Sequence, residues 1–154
     1  MGISTQTRPL IRLVLEAETA ADLMTPNPVS IHRNATLPDA AGLLTEKNVS
    51  AVPVLDDEGR PIGVLSRTDV VRYYQGMTGK TPHTGTAPVP SVQKIMTPAV
   101  LSVQPGTPAI EVVAKLLGLG NVHRLFVVDD SGVLLGVVSA RDVLRRLRRQ
   151  DQAY

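Results

Sequence analysis

The chain has no cysteine and no tryptophan, and only one phenylalanine and three tyrosines among its 154 residues. Without cysteine there is no disulfide framework and no thiolate metal site, and nothing argues for an oxidising compartment. Three scattered histidines, His32, His83 and His123, do not make up the deficit, so no dedicated metal site is expected. No apolar run approaches the ~18 residues that a membrane helix needs. Residues 1–12 have no apolar stretch behind a basic one, so no secretory signal is expected. The formal charge is +2, too small to imply a field that gathers nucleic acid. The enzyme signatures HExxH, GxSxG, GxxxxGKS/T and a GxGxxG after a strand are also missing. These absences together set the expectation of a cytoplasmic, non-enzymatic protein that engages neither membrane nor nucleic acid.

What the chain does have is branched aliphatics, within a hydrophobic share of 43%, enough for the core of one small α/β domain or two packed halves. It also has a repeat. Asp22-Leu23-Met24-Thr25-Pro26 returns as Lys94-Ile95-Met96-Thr97-Pro98, 72 residues on. Val54-Leu55-Asp56-Asp57 returns as Val127-Val128-Asp129-Asp130, and Gly63-Val64-Leu65-Ser66-Arg67-Thr68-Asp69-Val70 as Gly136-Val137-Val138-Ser139-Ala140-Arg141-Asp142-Val143, both 73 residues on. Three blocks in one order at a nearly constant offset mark a duplication.

Each copy predicts β-α-β-β-α, an α/β (α+β) fold. A short strand at 29–31 or 101–103 precedes a helix N-capped by Thr36 or Thr107, with Pro108 at the favoured first helical position. The helix stripes are Leu37, Ala40, Ala41, Leu44 and Ile110, Val113, Ala114, Leu117. Hairpins follow at 51–55 with 62–65 and at 125–128 with 134–138, and then helices from 67 to about 74 and from 140 to about 149. Strands this short require the copies to pack on each other. The Gly-, Thr- and Pro-rich segment 75–91 reads as a mobile linker, 1–19 as an extension and 150–154 as a tail, leaving repeats at 20–74 and 92–149. Within the extension, 10–18 suits a helix or a strand equally.

The strongest chemical candidate is Gly-hydrophobic-hydrophobic-Ser-x-x-Asp, with Ser66 and Asp69 in one copy and Ser139 and Asp142 in the other. It stands where a strand meets a helix, so backbone N–H groups, the serine hydroxyl and a carboxylate can face phosphate and sugar hydroxyls. Ser-x-x-Asp is equally an acidic capping box. One copy alone would favour capping; the preceding glycine and the recurrence favour a ligand. His123-Arg124, before the second hairpin, can meet a phosphate, whereas copy one has Ser50-Ala51 there, so such a site would be electrically lopsided. Thr25 and Thr97, each before proline, suit turns or contact with a base or ribose, and turns are favoured for either one alone. Arg145, Arg146, Arg148 and Arg149 suit a last helical turn, where they complement the helix dipole. Asp56-Asp57 and Asp129-Asp130 suit solvated hairpin turns.

Taken together, Met-Thr-Pro, Val49-Ser50-Ala51-Val52-Pro53-Val54 and Gly63 to Asp69, with His123-Arg124-Leu125-Phe126-Val127-Val128-Asp129 and Gly136 to Asp142, closely resemble the CBS (cystathionine-β-synthase) domain, over about residues 20–149. The resemblance implies two repeats packed about a pseudo-two-fold axis as a Bateman module, commonly a homodimer. It implies no obligatory cofactor, and clefts for adenine nucleotides (AMP, ADP or ATP), with S-adenosylmethionine and NAD-type ligands as lesser candidates. By position, one cleft joins Ser139, Arg141 and Asp142 to Thr25, Val29, Ser30 and Val49. The other joins Ser66, Thr68 and Asp69 to Thr97, Leu101, Ser102 and Val122. His123 and Arg124 match a basic pair that faces the phosphates in family members, without being assigned to either cleft. The spacing from Thr107 to Val122 is 15, against 13 from Thr36 to Val49, and the extra length at Gly118-Leu119-Gly120 borders the second cleft. The Asp142 cleft is therefore expected to bind more tightly. The implied role is a stand-alone sensor that modulates an effector protein in trans; the alternative is a ligand-independent dimerisation scaffold with vestigial clefts.

Overall fold

A strand of two residues cannot hold a sheet together, and the two repeats meet this need by exchanging their leading elements. The computed structural model describes residues 11–78, 89–98, 101–118 and 124–151. In the first repeat β3 (Ile31–His32) runs parallel to β4 (Ala51–Leu55) through the crossover helix α2 (Leu37–Glu46). β4 pairs antiparallel with β5 (Pro61–Ser66), which feeds α3 (Arg67–Thr78). The second repeat copies this plan with β6 (Ser102–Val103), α5 (Ala109–Leu117), β7 (Arg124–Val128), β8 (Leu134–Ser139) and α6 (Ala140–Arg145).

The exchange is reciprocal. β2 (Thr25–Pro26), from the first repeat, adds to the edge of β8, Thr25 opposite Val137. Thr97, from the second, bridges to Val64 through two backbone hydrogen bonds of 2.9 Å. Likewise Ala20 and Leu23 of α1 (Ala20–Leu23) are buried with Val112, Leu116, Leu125, Val127 and Val138. Val92 of α4 (Val92–Ile95) is buried with Ala40, Leu44, Val52, Val54 and Leu65. Each core is thus completed by the other repeat's first helix.

This crossing explains the glycine of the repeated motif. A Cβ on Gly136 would stand 2.9 Å from the Thr25 carbonyl oxygen and 2.6 Å from Met24 Sδ. On Gly63 it would stand 2.8 Å from the Thr97 carbonyl oxygen and 2.7 Å from Met96 Sδ. Only glycine lets the neighbouring backbone come so near.

Four expectations are corrected. The helix expected to reach about 149 stops at Arg145, and β9 (Leu147–Asp151) follows, antiparallel to β1 (Ile11–Leu15) with Leu15 opposite Leu147. Arg148 and Arg149 therefore lie on a strand, not in a last helical turn; pairing with the far end of the chain overrides the helix propensity of the Leu/Arg run. The same ribbon gives a strand over Ile11–Leu15 within the segment that suited a helix or a strand equally. On α5 the buried side chains are Ala109, Val112 and Leu116, while Ile110 and Leu117 are 80% and 78% exposed. Apolar residues cover more than half of the helix circumference, with Glu111 and Lys115 confined to one strip, so two stripes of equal spacing exist one residue apart. Contacts with the α1 segment choose between them: Ala109 N donates to Glu18 O at 2.9 Å and Ala20 N to Thr107 O at 2.8 Å. The N-cap is Pro108; Thr107 Oγ instead accepts from Gln104 N at 3.1 Å. Finally, α3 continues to Thr78, into the segment read as linker, of which 79–88 lie outside the described residues. Among the described residues no helix is long and apolar enough to cross a membrane.

Candidate functional site

The corner where β8 turns into α6 is held by its own side chains. Ser139 Oγ accepts from Asp142 N at 3.4 Å, and in return Asp142 Oδ2 accepts from Ser139 N at 2.7 Å and from Ser139 Oγ at 2.9 Å. Asp142 Oδ1 accepts from Thr25 Oγ at 2.8 Å, a bond supplied by the opposite repeat. The β5–α3 corner repeats the pattern: Ser66 N donates to Asp69 Oδ2 at 2.9 Å, Asp69 N to Ser66 Oγ at 3.1 Å, and Thr97 Oγ to Asp69 Oδ1 at 3.4 Å. Both carboxylates are buried, each 8% exposed. The capping reading of Ser-x-x-Asp is thus realised at both corners, by the carboxylates that are also the candidates for a ligand. A carboxylate has about four acceptor positions; at Asp142 these bonds fill Oδ2 and half of Oδ1, leaving one position for an incoming hydroxyl.

Around Asp142 opens a cleft of about 710 Å³ built from both repeats. Of the residues expected there, Thr25, Val29, Val49, Ser139, Arg141 and Asp142 all line it, and Arg124, expected near phosphate but assigned to neither cleft, lines it too. Ser30 does not stand among the lining residues, and His123 lies outside the described residues. Arg124 spans the repeat boundary: its Nη1 donates to Ala51 O at 3.2 Å and its Nη2 to Ser50 Oγ at 3.1 Å. Ser50-Ala51 is the counterpart, 73 residues earlier, of His123-Arg124, so the guanidinium meets its own symmetry-related position.

The cleft also holds residues that the sequence reading passed over, chiefly Asn27, Asn48, Arg67, Phe126 and Arg145. Asn48 carries a readable signal, since it follows the C-cap of α2 in the left-handed region (φ 51°), a usual place for asparagine. Its Oδ1 accepts from Arg67 Nη2 at 3.0 Å. Arg67 carries no such signal, because it belongs to the first repeat's motif and lines the cleft at the second repeat's corner. Val29, Val49, Pro53 and Phe126 supply apolar lining of a kind that suits a planar ring, and the arginines supply cations of a kind that suits an anion.

At the other corner Ser66, Asp69 and Thr97 come together and Thr68 is exposed. Leu101 is exposed and its carbonyl accepts from Phe126 N at 3.0 Å; Ser102, also exposed, stands on β6. Val122 lies outside the described residues. Two carboxylates away from the cleft sit below the usual range: Asp22 through hydrogen bonds from the Glu18 and Thr19 N–H groups, and Asp56 through those from Arg60 and Glu58. Both are cap or turn residues. Among the described residues no group of three or more His, Asp or Glu is placed to hold a metal ion.

The family model of the CBS domain matches residues 20–76 and again 92–149. Among solved structures the chain is similar to CBSX2 in complex with AMP, at 32% identity and a TM-score of 0.68, covering 84% of this chain and 95% of that one. It is also similar to the CBS domain of the bacterial CNNM/CorC family Mg2+ transporter in complex with ATP, at 28% identity and a TM-score of 0.68, covering 85% and 87%. Among longer proteins it is 32% identical over 108 residues to 5'-AMP-activated protein kinase subunit gamma-3 of Sus scrofa, covering 70% of this chain and 21% of that protein. It is 24% identical over 130 residues to inosine-5'-monophosphate dehydrogenase of Nitrosopumilus maritimus (strain SCM1), covering 84% and 24%. The chain thus spans between a fifth and a quarter of these two relatives.

Proposed function

Because this chain belongs to the CBS-domain family, matched in both repeats, we propose that it is a regulatory module that binds an adenine nucleotide at Asp142 and signals its occupancy to a partner protein. The observation that carries this reading is the shared cleft. Both repeats build its walls, apolar side chains and arginines line it together, and a buried carboxylate keeps one acceptor position open. The base lies on the Val29, Val49 and Phe126 side, a ribose hydroxyl donates to Asp142, and Arg124 and Arg141 take phosphate. The ligand competes for Arg124, which holds Ser50 and Ala51, and shares Asp142 with Thr25. Both contacts join the two repeats, so binding favours a different packing of one repeat on the other, and a partner that reads that surface senses the nucleotide. The module works as a homodimer through apolar side chains exposed on α3, α5 and α6, among them Val71, Tyr74, Ile110, Leu117 and Leu144.

A second reading is a ligand-independent dimerisation module. It is favoured by the three hydrogen bonds that Asp142 already accepts within the protein. Thermal unfolding with and without AMP, ADP or ATP separates the two. A ligand of the native state at 100 times its Kd stabilises by about 2.7 kcal/mol, and Arg124→Ala is expected to reduce the rise in Tm. A Tm that does not move with any adenine nucleotide supports the scaffold.

A further inference from the structure

A nucleotide in the Asp142 cleft can carry one phosphate or more, and the cations around it bear on the number. Four guanidiniums line the cleft, Arg67 from the first repeat and Arg124, Arg141 and Arg145 from the second, and Asp142 is the one carboxylate among the described lining residues. A phosphate monoester carries about −1.5 to −2 at neutral pH, less than this surplus of positive charge.

The cations also come from both repeats. Arg124 is fixed at the repeat boundary by Ser50 and Ala51. Arg67 stands on the first-repeat wall, steadied by Asn48 through Nη2 and by its backbone N–H to Ser50 O at 2.9 Å, which leaves most of its guanidinium N–H groups for a ligand. Arg145 keeps only a 4.0 Å approach to Asp142, with its side chain 60% exposed. A single phosphate balances only part of this charge, whereas a chain of two or three offers an anionic oxygen to each guanidinium, Arg67 included.

The set is also peculiar to this cleft. At the positions related by the 73-residue repeat, Arg67, Arg124 and Arg141 become Ala140, Ala51 and Thr68. Of the four only Arg145 has an arginine counterpart, Arg72, and it lies 3.7 Å from Asp69.

We propose that the Asp142 cleft selects nucleotides carrying two or three phosphates over the monophosphate, and that Arg67 is the residue that reads the additional phosphates. This rests on the nucleotide reading above. The test is isothermal titration of the full chain with AMP, ADP and ATP, with and without Mg2+. Affinity is expected to rise from AMP to ATP by about tenfold or more, the scale of one added charge-assisted contact. Arg67→Ala is expected to bring the ATP-to-AMP ratio to within about threefold, and Arg67→Lys to restore part of it. Arg67 is exposed, so the variants are expected to fold, which their thermal unfolding checks. AMP binding as tightly as ATP, or a ratio unchanged by Arg67→Ala, overturns the proposal and leaves the nucleotide reading standing. Binding of none of the three ends both.

Discussion

At the scale of single residues, a close approach between repeats sets the tolerance of the motif glycines. Gly136 faces the Thr25 carbonyl oxygen and Met24 Sδ at distances that no Cβ tolerates, and backbone gives way less readily than a side-chain end. Gly136→Ala is therefore expected to lower stability by about 1–3 kcal/mol, the usual range for overpacking. Gly42, in the middle of α2, has nothing within 4 Å of where its Cβ would be. Gly42→Ala is expected to raise stability by about 0.5–1 kcal/mol, because alanine loses less backbone entropy in a helix. Urea unfolding of both variants measures the contrast, and equal effects would mean that the crossing segment yields freely. The serine and aspartate of the same motif were legible because their capping partners lie three residues apart in sequence. The glycine's reason was not legible, since what presses on it comes from the other copy.

At the scale of elements, the hairpins and crossover helices follow from local signals: alternating aliphatics, a polar turn with glycine, and Thr36 with Asp39 closing the start of α2 through bonds of 3.3 and 3.4 Å. The signal fails where two local answers are equally good. On α5 the stripe through Ile110 and the stripe through Val112 have the same helical spacing, and only contact with the α1 segment turns the second inward. Likewise 146–149 has a composition that suits a helix, and its strand partner β1 lies at the opposite end of the chain. The α5 register makes a prediction at this scale. Val112→Ala empties a fully buried position and is expected to cost about 2 kcal/mol or more, as large-to-small core changes do. Ile110→Asp is expected to shift stability by no more than about 0.5 kcal/mol, as surface changes do. If the exposed stripe meets a second copy, the same Ile110→Asp substitution raises the monomer fraction in sedimentation. The reverse order of stabilities would restore the stripe expected from sequence.

At the scale of the whole molecule, the constant offset of the duplication marks two copies but does not reveal that each is incomplete alone. The first core contains Val92, fully buried and contributed from beyond the linker, and the second contains Ala20 and Leu23 from the start of the first copy. Burying an aliphatic side chain of valine or leucine size is worth about 1.5–3 kcal/mol, so losing such groups removes a large part of a small domain's margin of 5–15 kcal/mol. The exchanged strands compound the loss: without Thr97 the edge of β5 lacks two backbone hydrogen bonds, and without Thr25 Asp142 lacks a partner. Division of the chain after Thr78 should therefore yield two fragments that are each largely unfolded alone and recover native circular dichroism when mixed. In the intact chain, unfolding followed by probes in either repeat should fall on one transition, as expected when each core is closed by the other half. A fragment of residues 1–78 that unfolded cooperatively alone would show that the exchanged helices decorate cores already complete. Ligand binding in the shared cleft could then no longer act by changing how the two repeats hold each other.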